Sequence, residues 1–341
     1  MRPKISIIIP VYNVEVYLRQ CLDSVVNQTF PDIQVLCVND GSTDGSRAIL
    51  QEYVDRDSRI KVIDKSNGGL SSARNAAYPY IEGKYTLFVD SDDWIASHLC
   101  EKTLYKAEET NASITVFFDQ RRTKRVIQSI TSNDRNTIEE KLPLLDFPTV
   151  WSKLWRTDFL LGNKLYFPEG LVYEDNLLNW QAVTLADRIA VVPERLYHYR
   201  RNFDSTTQTW GEHSMDMIPI YNKIQEYLLE CGYYTTYRDK FISMKLDVWY
   251  RHYRNLPVSL KPRFVAMIRD SLTADDREFY RSVPKNPCKQ LARLFYAMIE
   301  GSETDARKFK IAYTVHQIIR TPELCLNRWI IRPIKRGLGG E

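Results

Sequence analysis

Short apolar runs recur through the first 120 positions. Each is bounded by turn residues and followed by apolar residues at helical spacing. Lys4–Ile9, Ile33–Val38, Arg59–Ile63, Tyr85–Val89 and Ser113–Phe118 read as strands. Glu15–Gln28 puts Val16, Leu18, Leu22, Val25 and Val26 at helical spacing, and Ser46–Val54, Ser71–Tyr80 and Ala96–Thr110 follow the same rule. Asp44 or Ser46 suits the cap of the second helix. Strands that are apolar almost throughout, alternating with helices, predict an α/β fold: a mostly parallel, Rossmann-like sheet covered on both faces. Such sheets bind ligands outside the carboxyl ends of their strands, near the point where strand order reverses.

Beyond residue 120 the pattern changes. Residues 120–146 are polar, with Arg121, Arg122, Lys124 and Arg125 in one run, and are expected to form a hairpin or loop. Residues 148–210 mix short strands with Gly and Pro. From about 214 the spacing of Ile218, Tyr221, Ile224, Tyr227 and Leu228 is helical, and Pro257, Pro262, Pro284 and Pro287 divide that part into several helices. The expected organisation is a catalytic domain over 1–210, with nucleotide binding in 1–120 and the acceptor side in 121–210, then a mostly helical extension over 211–341.

Composition narrows the classes. The 341 residues are 44% hydrophobic, 26% charged and 12% aromatic, which excludes disorder, collagen and low complexity. No run approaches the roughly 20 apolar residues of a membrane helix. The run Ile5 to Ile9 is too short for a signal-peptide core, so a cytoplasmic protein is expected. Six cysteines (21, 37, 100, 231, 288 and 325) lack any CxxC spacing and read as free buried thiols. Net charge is +4, but the first 210 residues carry about −3 and the remainder about +7. The basic part suits an anionic surface or a solvated helical face. Its tail, Arg328-Trp329-Ile330-Ile331-Arg332-Pro333-Ile334-Lys335-Arg336, suits a membrane interface or packing on the catalytic domain.

The chemistry lies in the acidic residues at strand ends. The second strand ends in Asn39-Asp40-Gly41-Ser42-Thr43-Asp44, and the fourth in Asp90-Ser91-Asp92-Asp93. In a parallel sheet these ends share one edge. Three carboxylates within four residues repel one another and are costly to desolvate unless a cation neutralises them. Capping the next helix explains one of them. Hard oxygen donors with open positions suit Mn²⁺ or Mg²⁺ carrying a diphosphate. Asn67-Gly68-Gly69 before a helix lets backbone approach an anion, with Arg74 one turn on; a plain turn would look the same. Tyr12, after Pro10, suits stacking on a base or simple packing.

These segments fall in a recognisable order: Ile-Ile-Pro-Val-Tyr-Asn at 8–13, Val-Asn-Asp-Gly-Ser-Thr-Asp-Gly-Ser at 38–46, Asn-Gly-Gly-Leu-Ser-Ser-Ala-Arg-Asn at 67–75 and Phe-Val-Asp-Ser-Asp-Asp-Trp at 88–94. The pattern resembles glycosyltransferase family 2, strongly over 3–120 and less specifically to about 210. The resemblance implies a GT-A fold and inverting transfer from a UDP-sugar. It implies that Pro10, Tyr12, Asp40, Asn67, Gly69 and Arg74 bind the nucleotide, with Asp40 accepting from a uracil nitrogen. Asp90-Ser91-Asp92 matches the metal-binding Asp-X-Asp: Asp92 as direct ligand, Asp90 on ribose or metal-linked water, Ser91 nearby, Asp93 in support. Asp175 of Glu174-Asp175 matches the catalytic base, with Glu174 orienting the acceptor. The base must sit opposite the leaving diphosphate, which agrees with a carboxylate from a separate segment. A helix start complementing its dipole is the plainer account of that pair.

Trp151, Lys153 and Trp155 suit an acceptor site or the core. Arg200 and Arg201 suit a diphosphate. His198 suits a metal or phosphate ligand, or a structural hydrogen bond. The implied partners are a UDP-sugar and an oligosaccharide or lipid-linked acceptor in lipopolysaccharide, capsule or exopolysaccharide synthesis, at the inner face of the plasma membrane. The helical part would serve acceptor recognition, membrane docking or homodimer formation. A nucleotidyltransferase would need a Gly-rich basic loop after the first strand, and an NAD oxidoreductase GxGxxG there; both are absent. A non-catalytic sugar-nucleotide-binding subunit is the reading from another class. Nucleic-acid binding has no supporting motif.

Overall fold

The computed structural model describes residues 2–130, 136–201, 209–282, 295–301 and 307. The eight strands are β1 (Ile5–Val11), β2 (Ile33–Asp40), β3 (Ile60–Lys65), β4 (Tyr85–Phe88), β5 (Trp94–Ile95), β6 (Ile114–Asp119), β7 (Lys153–Arg156) and β8 (Ile189–His198). The helices begin with α1 (Glu15–Val26), α2 (Ser46–Val54), α3 (Gly69–Ala76), α4 (Leu99–Thr110), α5 (Lys124–Ile130) and α6 (Ile138–Lys141). They continue with α7 (Thr157–Gly162), α8 (Asp175–Leu185), α9 (Met217–Glu230), α10 (Tyr234–Asn255), α11 (Lys261–Ser271) and α12 (Ala274–Ser282).

All strands join one sheet in the order β3-β2-β1-β4-β7-β6-β8-β5. The first four are parallel, as their unbroken apolar runs predict. Every residue of β1 and β2 is buried, and helices α1, α2 and α4 send Leu22, Leu50 and Leu104 into the core against them. β1 carries Pro10, which lacks an N–H. The strand tolerates it because β4 pairs only with Ile5–Ile8. Beyond Ile8 the neighbours β1 and β4 part, and this is where strand order reverses. The opening left at their carboxyl ends is the site.

The sheet is mostly parallel as expected, with β6 also parallel to β8, while β7 runs antiparallel to both β4 and β6 and β5 antiparallel to β8. Two expectations are corrected. The described residues of 120–146 form no hairpin; they hold α5, α6 and a short 3₁₀ turn, Leu142–Asp146. Their charges hid Ile127, Ile130, Leu144 and Leu145, which are buried. Cys21, Cys37 and Cys100 are free and buried as expected, but Cys231 is exposed. The helix cap is shared: Asp44 accepts from the Ser46 N–H (2.9 Å) and the Glu15 N–H (3.0 Å), serving the starts of α2 and α1.

The chain divides into two compact units. One holds residues through Thr209 with Pro219–Tyr233; the other holds Trp210–Ile218 and the described residues from Tyr234 on. The second unit is helical. α10 ends two residues before Pro257, and Pro262 sits in the first turn of α11, where its missing N–H costs nothing. The tail 328–336, Pro284, Pro287, Cys288 and Cys325 lie outside the described residues. No described helix is long and apolar enough to cross a membrane.

Candidate active site

The turn after β2 is built around Asp40. Its buried carboxylate accepts from Lys65 Nζ (2.5 Å), the Gly68 N–H (3.0 Å) and the Gly69 N–H (2.8 Å), while Asn67 Nδ2 donates to its carbonyl (3.1 Å). Asp40 therefore anchors the start of α3, and Asn67 and Gly69 belong to the same construction. Tyr12 is half exposed at the rim of this turn. Lys65, absent from the expected set, closes β3 and is visible in sequence only as a strand-end cation.

Arg74 is 2% exposed. One Nη donates to Asp90 Oδ1 (2.8 Å) and the other to Glu174 Oε1 (2.6 Å), and the guanidinium lies 5.0 Å from the Phe167 ring. Burial opposes its charge, but Asp90, Glu174 and Asp175 outweigh that and raise its pKa. Arg74 was expected at the uracil and phosphates, and Glu174 at the acceptor. The structure instead pairs them, tying the end of β4 to the start of α8 across 100 positions of sequence.

The acidic turn follows β4. Asp93 is 1% exposed, and its Oδ1 accepts from the Arg200 N–H (2.6 Å). Among the described residues its buried Oδ2 has no partner. Burial, then the charges of Asp90 and Asp92, push its pKa up to about 8. The Arg200 guanidinium donates to the Asp92 carbonyl (2.8 Å) and to Gln20, lying over the Tyr17 and Trp94 rings. It latches the acidic turn to α1. Arg201 is exposed. His198 stacks face to face on Trp94 at 5.1 Å, and burial lowers its pKa, so its role here is packing. Tyr197, a further contributor, accepts from the Asp90 N–H (3.1 Å).

Asp175 opens α8, directly after Tyr173 (φ +70°) and Glu174. A left-handed aromatic residue is uncommon and is held only where surroundings over-determine it. Burial of the carboxyl, then the Glu174 charge, raise the Asp175 pKa to about 7, while Arg74 and Lys153 act against the rise. Lys153 is 1% exposed on β7, its Nζ donating to the carbonyls of Phe147 (2.7 Å) and Thr149 (2.8 Å). Burial pushes it down to about 7, with Asp175 acting to restore its charge.

The expected acceptor aromatics are covered. Trp155 is fully buried, its indole N–H donating to Val150 O (3.3 Å). Trp151 is stacked on Tyr197 (4.3 Å) and near Tyr199 (6.0 Å), with Arg121 above it. A sugar face cannot lie on Trp151 unless these move.

The site thus brings Asp90, Glu174 and Asp175 about the buried Arg74 and Lys153, with Asp92 and Asp93 following Asp90 in the turn that Arg200 holds. Among the described residues no three ligand groups close on one point. Asp90 and Asp92 are the oxygen donors there that could hold a divalent cation.

Comparison with known proteins agrees with this geometry. The family model described as Glycosyl transferase family 2 matches residues 6–155. The uncharacterized glycosyltransferase EpsJ of Bacillus subtilis is 36% identical over 228 residues, 63% of this chain and 66% of EpsJ. The chain therefore spans just under two thirds of that relative. EpsH of the same organism, described as a glycosyltransferase, is 34% identical over 262 residues, 72% of this chain and 76% of EpsH. The crystal structure of TarS residues 1–349 with UDP-GlcNAc is similar in fold, with TM-score 0.71 at 24% identity over 94% of this chain and 92% of that one. TarS is a poly(ribitol-phosphate) β-N-acetylglucosaminyltransferase of Staphylococcus aureus. With this fold and these relatives, the chain belongs to glycosyltransferase family 2 and has the GT-A fold.

Proposed function

We propose that the enzyme transfers a hexose or N-acetylhexosamine, with inversion, from a UDP-sugar to a hydroxyl of a saccharide or polyol acceptor in a surface polymer. The observation that carries the reading is the tie through Arg74, which fixes Asp175 beside the acidic turn yet on a different element. Asp175 takes the acceptor proton; a carboxylate raised toward neutrality is a stronger base than an ordinary one. Lys153 beneath it favours the ionised form. Arg74 and Arg200 hold the two acidic segments rigid, so no reorganisation is needed as charge moves. Tyr12 and the Asp40 turn face the nucleotide base and ribose. Asp92, with Asp90, would hold Mn²⁺ or Mg²⁺, whose charge stabilises the leaving diphosphate. The UDP-GlcNAc complex of the TarS fold neighbour supports a uridine donor. In this reading the basic later part of the chain docks at the membrane that carries the acceptor.

Two variants test this. UDP with Mn²⁺ should raise the melting temperature, since a ligand that binds only the folded state stabilises it, and Asp92→Ala should remove the gain. Asp175→Asn should lower transfer by about 10²–10⁴-fold while keeping the UDP–Mn²⁺ shift. Near-normal turnover in Asp175→Asn rejects the base. No response to any uridine nucleotide rejects the donor and favours a non-catalytic subunit.

A further inference from the structure

The carboxyl ends of β6 and β8 carry a second constellation that the donor chemistry does not use. β6 ends at the buried Asp119, paired with Tyr197 of β8. The Gln120 side chain extends this pairing, accepting from the Tyr199 N–H (2.8 Å) and donating to the Tyr199 carbonyl (2.6 Å). Asp119 then takes two guanidiniums. Arg121 reaches it through its backbone N–H (2.9 Å), Nε (2.8 Å) and Nη2 (3.2 Å), and Arg122 through Nε (3.3 Å). Both lie flat on aromatic rings: Arg121 3.8 Å from Tyr199, Arg122 4.7 Å from Phe147.

One carboxylate needs one guanidinium for neutrality. Here there are two, so Asp119 neutralises only one of them, and an anion would balance the other. Stacked, carboxylate-held guanidiniums are also pre-organised, so little side-chain freedom is lost when a phosphate meets their remaining N–H groups. The shelf adjoins the acceptor side. Arg121 lies over Trp151, Trp151 on Tyr197, and Tyr197 bonds the Asp90 N–H; the Lys153 charge feels both Arg122 and Asp175.

We propose that Arg121 and Arg122 bind a phosphate group of the acceptor, placing a hydroxyl of a phosphate-bearing acceptor within reach of Asp175. The proposal rests on Asp175 being the base, and it names the acceptor class that the preceding reading left open.

The test uses the full chain with Mn²⁺, in the presence and absence of UDP. The probes are a short glycerol-phosphate oligomer, a short prenyl pyrophosphate and an uncharged dextran oligomer. Wild type should bind a phosphate probe in a salt-sensitive way and prefer it to dextran. R121Q/R122Q should weaken the phosphate probe about tenfold or more, while UDP affinity changes less than about twofold. R121K/R122K keeps the charge but loses the planar fork, so it should fall between, and it replaces the Gln variant if that one melts early. The tighter phosphate probe identifies the source, a polyol-phosphate chain or a lipid pyrophosphate. Three results overturn the proposal: no loss in either double variant, equal binding of dextran, or UDP affinity falling in step, which moves the pair to the donor. A chain that binds the phosphate probe through these arginines but ignores UDP leaves the shelf standing and rejects the donor reading.

Discussion

In the helical unit, Lys245 of α10 and Asp276 of α12 are both fully buried and meet at 2.7 Å. Asp276 also accepts from the Thr273 N–H and hydroxyl, and Lys245 lies 4.9 Å from the Trp249 ring. That is one buried charge for one. In the sheet unit, five carboxylates (Asp90, Asp92, Asp93, Glu174 and Asp175) stand near the buried Arg74 and Lys153 and the Arg200 latch; Asp93 and Asp276 alike keep one oxygen without a hydrogen bond among the described residues. Burying charge is costly in both places. The helical unit balances it from within. The sheet unit carries more carboxylates than cations and answers in part by holding protons, Asp93 and Asp175 being shifted upward. Carboxyls pushed toward neutrality are therefore the better mark of function, and a matched buried pair the better mark of architecture.

The largest effect that tests the contrast falls on the helical pair. Lys245→Met leaves Asp276 buried beside the apolar replacement and should cost about 3–5 kcal/mol in denaturant unfolding. Adding Asp276→Leu should recover most of that loss, because a matched apolar pair does the same packing. If the double variant is no better than the single, the pair is not matched in the sense described.

Sequence made the donor half readable because its physics is local. Continuous apolar runs give parallel strands, and carboxylates directly after them land on one edge. The Arg74–Glu174 bond was not readable, since nothing in either segment specifies a partner 100 residues away. Lys153 and Trp155 stayed open between acceptor site and core for a related reason: nothing local shows that Phe147 and Thr149 supply the acceptors of a buried lysine. Asp119 shows the converse. Its basic neighbours suggested a loop, yet its burial turns the same residues into a rigid feature.

Acidity should separate the two units more finely. His252 of the helical unit is buried, with Nδ1 3.0 Å from Ser214 O, and burial lowers its pKa to about 4. Between about 6.5 and 4 the unfolded chain binds a proton that the folded chain refuses. This contribution to stability is complete above the upper value and lost as pH falls through the window, by up to about 3 kcal/mol. His252→Gln should flatten that part of the stability profile. Asp175 is shifted upward instead, so its protonated, inactive form grows below about 7. Transfer should then fall about tenfold per pH unit on the acid side, and the fall should set in about half a unit above the onset of the His252 loss. A rate profile without that acid limb argues against Asp175 as the base.

The smallest effect separates backbone strain from site construction. Gly41 (φ +73°) in the sheet unit and Gly301 (φ +92°) in the helical unit both adopt left-handed backbone. A Cβ at Gly301 would meet nothing within 4 Å, whereas one at Gly41 would lie 2.8 Å from the Asn67 backbone nitrogen. Gly301→Ala should therefore cost only the conformational penalty, about 1 kcal/mol. Gly41→Ala pays the same penalty and must also push the Asn67–Gly69 turn away from the Asp40 carboxylate that anchors it. Its cost should exceed that of Gly301→Ala by about 1 kcal/mol, and only Gly41→Ala should weaken UDP binding. Equal costs with unchanged UDP affinity would mean that the turn yields freely, and that Asp40 holds α3 without shaping the nucleotide site.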